Sequence, residues 1–460
     1  MKKSYGSARE KVEVMTDLTH AARDSAGLAS APRIQHTHSG GGRPVSVSAR
    51  LGRLQFHDSG KFRVLVLSDI QDGPNVSSDT IKLIEAALDG SRPDIVIFTG
   101  NQIAGYDKGY AGTFHKRTWT PQKWSMGSAA AKRRSAELEH TRELVRGCIA
   151  QFVAPLNERH IPWAVTYGNH DFQCGLSNVE LDEIYREFPG CLNPEPTKKR
   201  SDRPRKQPGS GLPDQYIYPC EAGTFALPVG QTHERGNVLG LVLFNSGDYG
   251  KLGGYGAPSQ KALEFLKVAP GLVGAKSMVF QHIPVPQYYD LLKEVPGTAA
   301  HAVEGYRTFA GRNYVIDESK TIPGSFLGEG VSCPDTDTGE FDIMQATDGY
   351  FALLAGHDHR NRFAGSVDGL MLIATPTCGF GSYGPAPAQR AARLLEFDIR
   401  HPHEPRTQLL EFGELVGKAS SNKVYTYALN GTPDAAKEGT NLLRHPNRFA
   451  QILRRMHLKK

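Results

Sequence analysis

Residues 62–100 constrain the fold most strongly, because strand and helix signals alternate there within a short span. The run "FRVLVLSD" (62–69) is short and rich in Val and Leu, and "DIVIFTG" (94–100) is a second apolar run of strand length. Between them, "SSDTIKLIEAALDG" (77–90) has a serine cap, apolar residues at helical spacing and a closing glycine. This order predicts a βαβ unit, and therefore an α/β fold whose sheet is at least partly parallel.

The later apolar runs continue this alternation. Further helices are predicted at 135–156, 178–188 and 259–266, and further strands at 162–168, 238–248, 277–282, 349–357, 370–376 and 392–399. We therefore expect one folded domain over 53–415, with insertions near 105–134 and 191–236. A flexible segment (1–52) is expected before it and a basic tail (416–460) after it.

Composition limits the class of protein. Hydrophobic residues make up 39% of the chain and charged residues 22%, values that are typical of globular proteins. No apolar run is long enough to cross a membrane, and the N-terminus lacks the apolar stretch of a signal peptide, so a soluble, cytoplasmic protein without a membrane partner is expected. The six cysteines form no CxxC pair, which favours free thiols over a cysteine zinc site.

The net charge of +6 is partly concentrated in the run 198–206. A run of this kind is typical of a solvated loop. Binding of nucleic acid through it is the less favoured interpretation, and steep salt dependence would be its signature.

Polar side chains follow five of the predicted strands, at the point where each strand ends. They are Asp69 and Gln71, then Asn101, then Asn169 and His170 in "GNHD", then His282, then His357 and His359 in "GHDH". In open α/β sheets, ligands bind beyond the carboxyl ends of the strands. Imidazole and oxygen donors suit Zn, Mn and Fe, and two such ions close together support hydrolysis.

In this order, D-x-(H/Q), G-(D/N), GNHD, a strand-ending His and GHxH resemble the motifs of the calcineurin-like metallophosphoesterases. The flanking text "PDIVIFTGNQI", "PWAVTYGNHD" and "FQHIPVPQY" is similar to the subgroup that resembles purple acid phosphatases. The resemblance covers roughly residues 60–400. It implies a central mixed β-sandwich flanked by helices, and hydrolysis of a phosphate ester through a metal-bound hydroxide.

The resemblance also implies roles for individual residues, together with two divalent metal ions (Mn, Fe or Zn). The implied ligands are Asp69, Gln71 and His359 for the first metal, Asn169, His282 and His357 for the second, and Asn101 as the bridge between them. His170 would donate a proton to the leaving group, and Asp171 would fix its ring. Asp358 is expected to be a carboxylate that stabilises a turn.

Two positions depart from the family pattern. Gln71 stands where a His is usual, and Asn101 stands where an Asp bridges both metals. An amide has one oxygen and no charge, so only Asp69 among the implied ligands is an anion. The sequence therefore leaves three interpretations: a binuclear enzyme in which hydroxide, substrate phosphate or Asp72 supplies the missing charge, a slow enzyme with one metal, or an inactive relative that acts as a binding protein.

The predicted insertions follow strand-end loops, so both are expected to overhang the site. In the first of them, four aromatic or imidazole side chains could contact a leaving group or pack the loop against itself: Tyr106, Tyr110, His115 and Trp119. The sequence predicts neither the physiological substrate nor the oligomeric state.

Overall fold

The computed structural model describes residues 46–117, 129–197, 203–231, 236–250 and 253–420. Most of the predicted N-terminal segment, residues 198–202 of the basic run and the tail beyond residue 420 lie outside these ranges. The end of the N-terminal segment, for which flexibility was predicted, forms a short helix. None of the described helices is long and apolar enough to cross a bilayer.

Helices form on both sides of a central pair of sheets. The α-helices in the described ranges are α1 (Val47–Leu51), α2 (Ser78–Ser91), α3 (Ala129–Asn157), α4 (Asn178–Arg186), α5 (Gln260–Leu266), α6 (Ala269–Val273), α7 (Glu340–Ala346) and α8 (Phe412–Leu415). Helix α2 begins after Ser77 as predicted, but Gly90 lies inside it, and Arg92 ends it in the left-handed conformation with φ 46°.

The strands were predicted in part. Those in the described ranges are β1 (Lys61–Leu67), β2 (Ile95–Thr99), β3 (Trp163–Thr166), β4 (Tyr218–Glu221), β5 (Thr224–Gly230), β6 (Asn237–Leu243), β7 (Ser277–Gln281), β8 (Leu292–Val295), β9 (Val303–Glu304), β10 (Asn313–Ile316), β11 (Tyr350–Ala355), β12 (Ala364–Val367), β13 (Leu370–Ala374), β14 (Ala391–Asp398) and β15 (His401–Glu411). Strands β4 and β5 lie within the predicted insertion 191–236, and β15 was not predicted.

The strands form two large sheets. One has the order β15-β14-β1-β2-β3, and the other has the order β12-β13-β11-β7-β6-β5-β4. Strands β1, β2 and β3 are parallel to one another, and so are β6, β7, β11 and β13. The predicted βαβ unit and the mixed sheet are confirmed.

The two sheets pack face to face. Alternate residues such as Val64 and Val66 of β1 meet Leu241, Phe280 and Leu354 of the second sheet in one buried core. Helices α2 and α3 cover the outer face of the first sheet, and α5, α6 and α7 cover the outer face of the second. This helix–sheet–sheet–helix order is the predicted β-sandwich flanked by helices, and it sets the carboxyl ends of β1, β2, β3, β7 and β11 around one cleft.

Candidate active site

The structure brings the strand-end side chains together in a continuous chain of contacts. Nε2 of His359 lies 3.3 Å from Oδ1 of Asp69, and Nδ2 of Asn101 lies 3.1 Å from the same oxygen. Nδ2 of Asn101 also donates to Oδ1 of Asn169 at 3.3 Å. Oδ1 of Asn169 is 3.0 Å from Nε2 of His282, which in turn is 3.1 Å from Nδ1 of His357.

The loops that carry these side chains adopt backbone conformations that most residues avoid. Asp69, Gln71, Asn101 and His357 have φ of 52°, 45°, 54° and 70°. Each such conformation costs on the order of 1 kcal/mol, and residues of this kind cluster at functional sites because the surrounding structure holds them there. Backbone hydrogen bonds help to keep the loops in these conformations. One of them joins the N–H of Gln71 to the carbonyl of Asn101 at 2.9 Å.

Three glycines leave the space that the site needs. A Cβ on Gly168 would lie 2.3 Å from Oδ1 of Asn101, and one on Gly356 would lie 1.9 Å from Oγ of Ser68. Gly100 has φ 98°, and a Cβ there would lie 2.6 Å from Nδ1 of His282. The glycines in "TGN", "YGN" and "AGH" are therefore required by close packing.

Two histidines present a lone pair to another acceptor. Nδ1 of His282 lies 2.9 Å from the carbonyl of Thr99, so it carries the proton and leaves Nε2 facing Asn169. Nδ1 of His359 likewise lies 2.7 Å from the carbonyl of Tyr383, which leaves Nε2 facing Asp69. Burial lowers the pKa of His282. Two acceptors that face each other at such distances are typical of a place where a cation binds.

Asp69 is the one carboxylate among the predicted ligands. Burial opposes its ionisation, but the positive charge that His282 and His359 carry when protonated, with hydrogen bonds from His359 and the Ser68 hydroxyl, holds the pKa of Asp69 well below its usual range. Its Oδ2 accepts from the Ser68 hydroxyl at 2.5 Å and from the backbone N–H of His357 at 3.0 Å. Oδ1 is thus directed toward His359 and Asn101.

The amide of Asn101 has a definite direction. Its Oδ1 accepts from the backbone N–H of His170 at 2.8 Å, so its NH₂ points at the oxygens of Asp69 and Asn169. The reverse orientation would aim the NH₂ at another N–H donor. The position predicted to bridge two cations is therefore occupied by a hydrogen-bond donor.

In Gln71 the amide nitrogen, and not the amide oxygen, is held by a protein group. Its Nε2 donates to the hydroxyl of Tyr106 at 2.9 Å, and its Oε1 is buried without a hydrogen-bond partner among the described residues. Nε2 of His357 is likewise buried and unpartnered within those residues. Buried polar atoms are normally paired, so both atoms are available to a ligand.

The expected contact between Asp171 and the His170 ring does not form. Asp171 instead accepts backbone N–H groups of Asn101, Gly168 and Ile103 at 2.7, 2.7 and 3.1 Å, and so ties two site loops together. Burial raises the pKa of Asp171 to about 7.

Gln173 holds the His170 ring in place of Asp171. Its Oε1 lies 2.7 Å from Nδ1 of His170. Burial lowers the pKa of His170 to about 4. The spacing of three residues across the short 3₁₀ helix Asp171–Cys174 is the sequence signal that could have identified Gln173.

Two other carboxylates have structural roles. Asp72 was considered as a source of missing charge, but its Oδ2 accepts from the backbone N–H of Ser77 and the hydroxyl of Thr80 at the start of α2. This oxygen of Asp72 therefore caps α2 and does not face the predicted metal ligands. Asp358 accepts from the backbone N–H of Ser332 and the amide of Asn361, as expected of a carboxylate that stabilises a turn.

Tyrosines surround the site, and sequence reasoning identified only one of them. The ring centroids of Tyr106 and Tyr249 lie 4.9 and 6.1 Å from that of His170. Tyr255 packs edge-on against His357 at 4.3 Å, and Tyr383 stacks on His359 at 4.1 Å. Burial raises the pKa of Tyr249 to about 12, and that of Tyr106 also rises through burial, so both hydroxyls stay protonated at neutral pH.

The other side chains that were singled out in the first predicted insertion do not line the site together with Tyr106. Tyr110 is buried in the core against α3, and the backbone N–H of His115 donates to the carbonyl of Gln173. Trp119 lies outside the described residues. All six cysteines are buried free thiols, as expected.

The described residues contain no group of three or more His, Cys, Asp or Glu side chains that could hold a metal ion. Three of the seven predicted ligands are amides: Gln71, Asn101 and Asn169. Amide oxygens can coordinate a cation, but they contribute no charge.

Sheet order, strand-end loops and the GNHD and GHDH residues together define a phosphoesterase fold. The chain belongs to the calcineurin-like phosphoesterase family, whose model matches residues 62–361. The predicted family is confirmed.

Its relatives resemble purple acid phosphatases. The chain is 20% identical to probable inactive purple acid phosphatase 29 of Arabidopsis thaliana, over 77% of this chain and 82% of that relative. It is 26% identical to phosphatase DCR2 of Saccharomyces cerevisiae, over 70% of this chain and 48% of that relative. A solved dimetal phosphatase from Danio rerio aligns with 76% of this chain and 99% of its own at 11% identity, with a TM-score of 0.37.

Proposed function

We propose that this protein is a metal-dependent phosphoesterase of low turnover that binds one divalent cation tightly. The observation that carries the proposal is the acceptor pair formed by Oδ1 of Asp69 and Nε2 of His359, 3.3 Å apart. The unpartnered Oε1 of Gln71 belongs to the same loop as Asp69. These three groups would hold the cation, and they include the one anion of the site.

The second predicted set is weaker. Asn169, His282 and His357 are neutral donors, and the NH₂ of Asn101 faces the oxygen of Asn169. A second cation there would meet no negative charge from its own ligands and a donor group at its edge. We therefore assign low occupancy to this position.

The chemistry follows from the class of site. Asp69, Gln71 and His359 would hold the divalent cation, which would supply a Lewis acid for a phosphoryl oxygen and would make water more acidic. His170 would protonate the leaving oxygen, with Gln173 holding its ring. Because burial disfavours the imidazolium form, His170 would take up its proton when a phosphate dianion lies beside it.

A second candidate function is ligand binding without hydrolysis, and the inward NH₂ of Asn101 favours it. Two relatives carry names that describe probable inactive purple acid phosphatases. In this alternative, the site retains a phosphate ester but lacks the charge balance needed to activate water.

One experiment separates the two candidates. Protein purified without chelator is analysed for Mn, Fe and Zn, and hydrolysis of p-nitrophenyl phosphate is measured before and after EDTA treatment. The proposal expects about one metal per chain and slow turnover that EDTA removes and Mn²⁺ restores. Stoichiometric metal without turnover would favour the binding protein.

A further inference from the structure

Two tyrosine hydroxyls flank His170, and each is held by the amide of a predicted metal ligand. The hydroxyl of Tyr106 accepts from Nε2 of Gln71 at 2.9 Å. The hydroxyl of Tyr249 accepts from Nδ2 of Asn169 at 2.7 Å. Both rings lie edge-on to His170, with interplanar angles of 77° and 74°.

Each hydroxyl has a proton left to donate. A phenol that accepts from an amide still carries its own O–H. Nδ1 of His170 lies 3.4 Å from the Tyr249 hydroxyl, but its proton is directed to Oε1 of Gln173, so that nitrogen offers no lone pair. Among the described residues, no acceptor takes the proton of either hydroxyl.

We infer that Tyr106 and Tyr249 bind the phosphoryl group of the substrate by donating hydrogen bonds to its non-bridging oxygens. This inference rests on the proposed function, because it places the phosphate between the metal ligands and His170. The oxygens of a phosphate dianion only accept hydrogen bonds, and the seven predicted metal ligands comprise one carboxylate, three amides and three imidazoles. Two phenol donors would offset part of the cationic charge that a weak second metal position fails to supply.

The surroundings of Tyr249 agree with an anionic ligand. The guanidinium of Arg117 lies 5.8 Å from the centre of the Tyr249 ring, so positive charge lies over this ring. The ring of Tyr255 stacks on that of Tyr249 with 6.0 Å between the ring centres, and this contact helps to fix its plane. The hydroxyl is therefore preorganised, which increases what a hydrogen bond contributes to binding.

The test measures binding of inorganic phosphate by calorimetry in the presence of Mn²⁺, together with metal content. We compare the full chain with Tyr106→Phe, Tyr249→Phe and the double variant. Tyr314→Phe is the matched control, since its ring packs against Tyr289 beside the three-stranded sheet β8-β10-β9, outside the site. Each single variant should weaken phosphate binding about tenfold, as expected for one hydrogen bond to a charged group, and the control should not change it.

Metal content should stay at the wild-type level in both Phe variants. Phosphate affinity equal to wild type in both would overturn the inference. A parallel loss of metal and affinity would also overturn it, because the tyrosines would then act by positioning Gln71 and Asn169. Wild-type protein that binds phosphate through these hydroxyls without turnover would contradict only the proposed hydrolysis, whereas absence of phosphate binding by the metal-loaded wild type would overturn the inference itself.

Discussion

At the scale of single residues, the direction of the Asn101 amide decides what the site can bind. Its oxygen is held by the backbone of His170, so the atom that faces the centre is a donor. In Asn101→Asp the same backbone contact would hold one carboxylate oxygen and leave the other facing Asp69 and Asn169. The NH₂ of the wild type would thus be replaced by an anion of nearly equal size.

Asn101→Asp should raise metal content from about one toward two ions per chain and the rate of phosphate ester hydrolysis by roughly tenfold or more, because a charge next to a cation contributes several kcal/mol in a buried site. Without metal, the new carboxylate would lie against Asp69, so the apo variant should be less stable than the apo wild type. Elemental analysis, p-nitrophenyl phosphate turnover and denaturant unfolding with and without EDTA measure these effects. Asn237→Asp, at the exposed first residue of β6, is the control. Unchanged metal content and activity would show that position 101 does not contact the cation.

Replacement of His170 and replacement of His357 by alanine should have different effects on turnover and metal content. His170→Ala should lower turnover about 10²–10⁴-fold at unchanged metal content, because a general acid contributes on that order. His357→Ala should in addition lower the metal bound at the second position when Mn²⁺ is in excess, since its Nε2 is buried and directed at no described partner. Equal loss of metal in both variants would contradict this division of roles.

The positions of the site residues were predictable, but their contacts were not. Residues that follow parallel strands of one sheet meet at one edge, and this rule suffices to bring Asp69 and Asn101 together, whereas His359 follows a strand of the other sheet. The role of Asp171 and the direction of the Asn101 amide depend on where the N–H groups of neighbouring loops point. Sequence patterns do not carry that information, because those loops come from different strands.

At the scale of elements, proline obscured two of the strands that sequence reasoning missed. Strand β5 contains Pro228, and β15 contains Pro402 and Pro405. Proline donates no backbone hydrogen bond and therefore weakens a strand prediction. Strand β15 tolerates its two prolines because it is an edge strand, with one side unpaired within its sheet.

The strand-to-loop junctions also carry a testable packing requirement. In Gly356→Ala the new methyl group would lie 1.9 Å from Oγ of Ser68, which bonds Asp69, so the β1 and β11 loops must separate. We expect a loss of about 1–3 kcal/mol in the free energy of unfolding, together with lower metal content. Gly147→Ala is the control, because this helical glycine has open space around it and alanine there should add about 0.5–1 kcal/mol. Equal stability of the two variants would contradict the close packing.

At the scale of the whole molecule, the sandwich joins the ends of five strands drawn from across the chain. Asp69 and His359 meet only because β1 and β11 lie in different sheets that pack against each other. The site is therefore built by global folding, and conditions that change the stability of either sheet act on it. The buried Glu340 is a residue through which pH can change the stability of the second sheet, since it begins α7 against the outer face of that sheet.

Stability should fall as pH rises because of Glu340. Burial raises its pKa from the ordinary 4.5 to about 8, opposed by a hydrogen bond with Gln281, the last residue of β7 before His282. The folded state thus retains a proton that the unfolded state releases between these pH values. The stabilisation is fully present below pH 4.5 and is lost as pH rises through 8, with a slope of at most about 1.4 kcal/mol per pH unit.

Denaturant unfolding of wild type and Glu340→Gln at pH 5, 6.5 and 8 measures this contribution. The amide cannot ionise, so the variant should gain stability relative to wild type as pH rises. Burial also raises the pKa of Asp171 and Asp182, which act in the same direction in both proteins, so the difference between the two isolates Glu340. Glu294→Gln, at a carboxylate whose side chain is 52% exposed, should run parallel to wild type. A Glu340→Gln curve parallel to wild type would mean that Glu340 is ionised in the folded protein, and α7 would then have to place a charge against the strand that ends at His282.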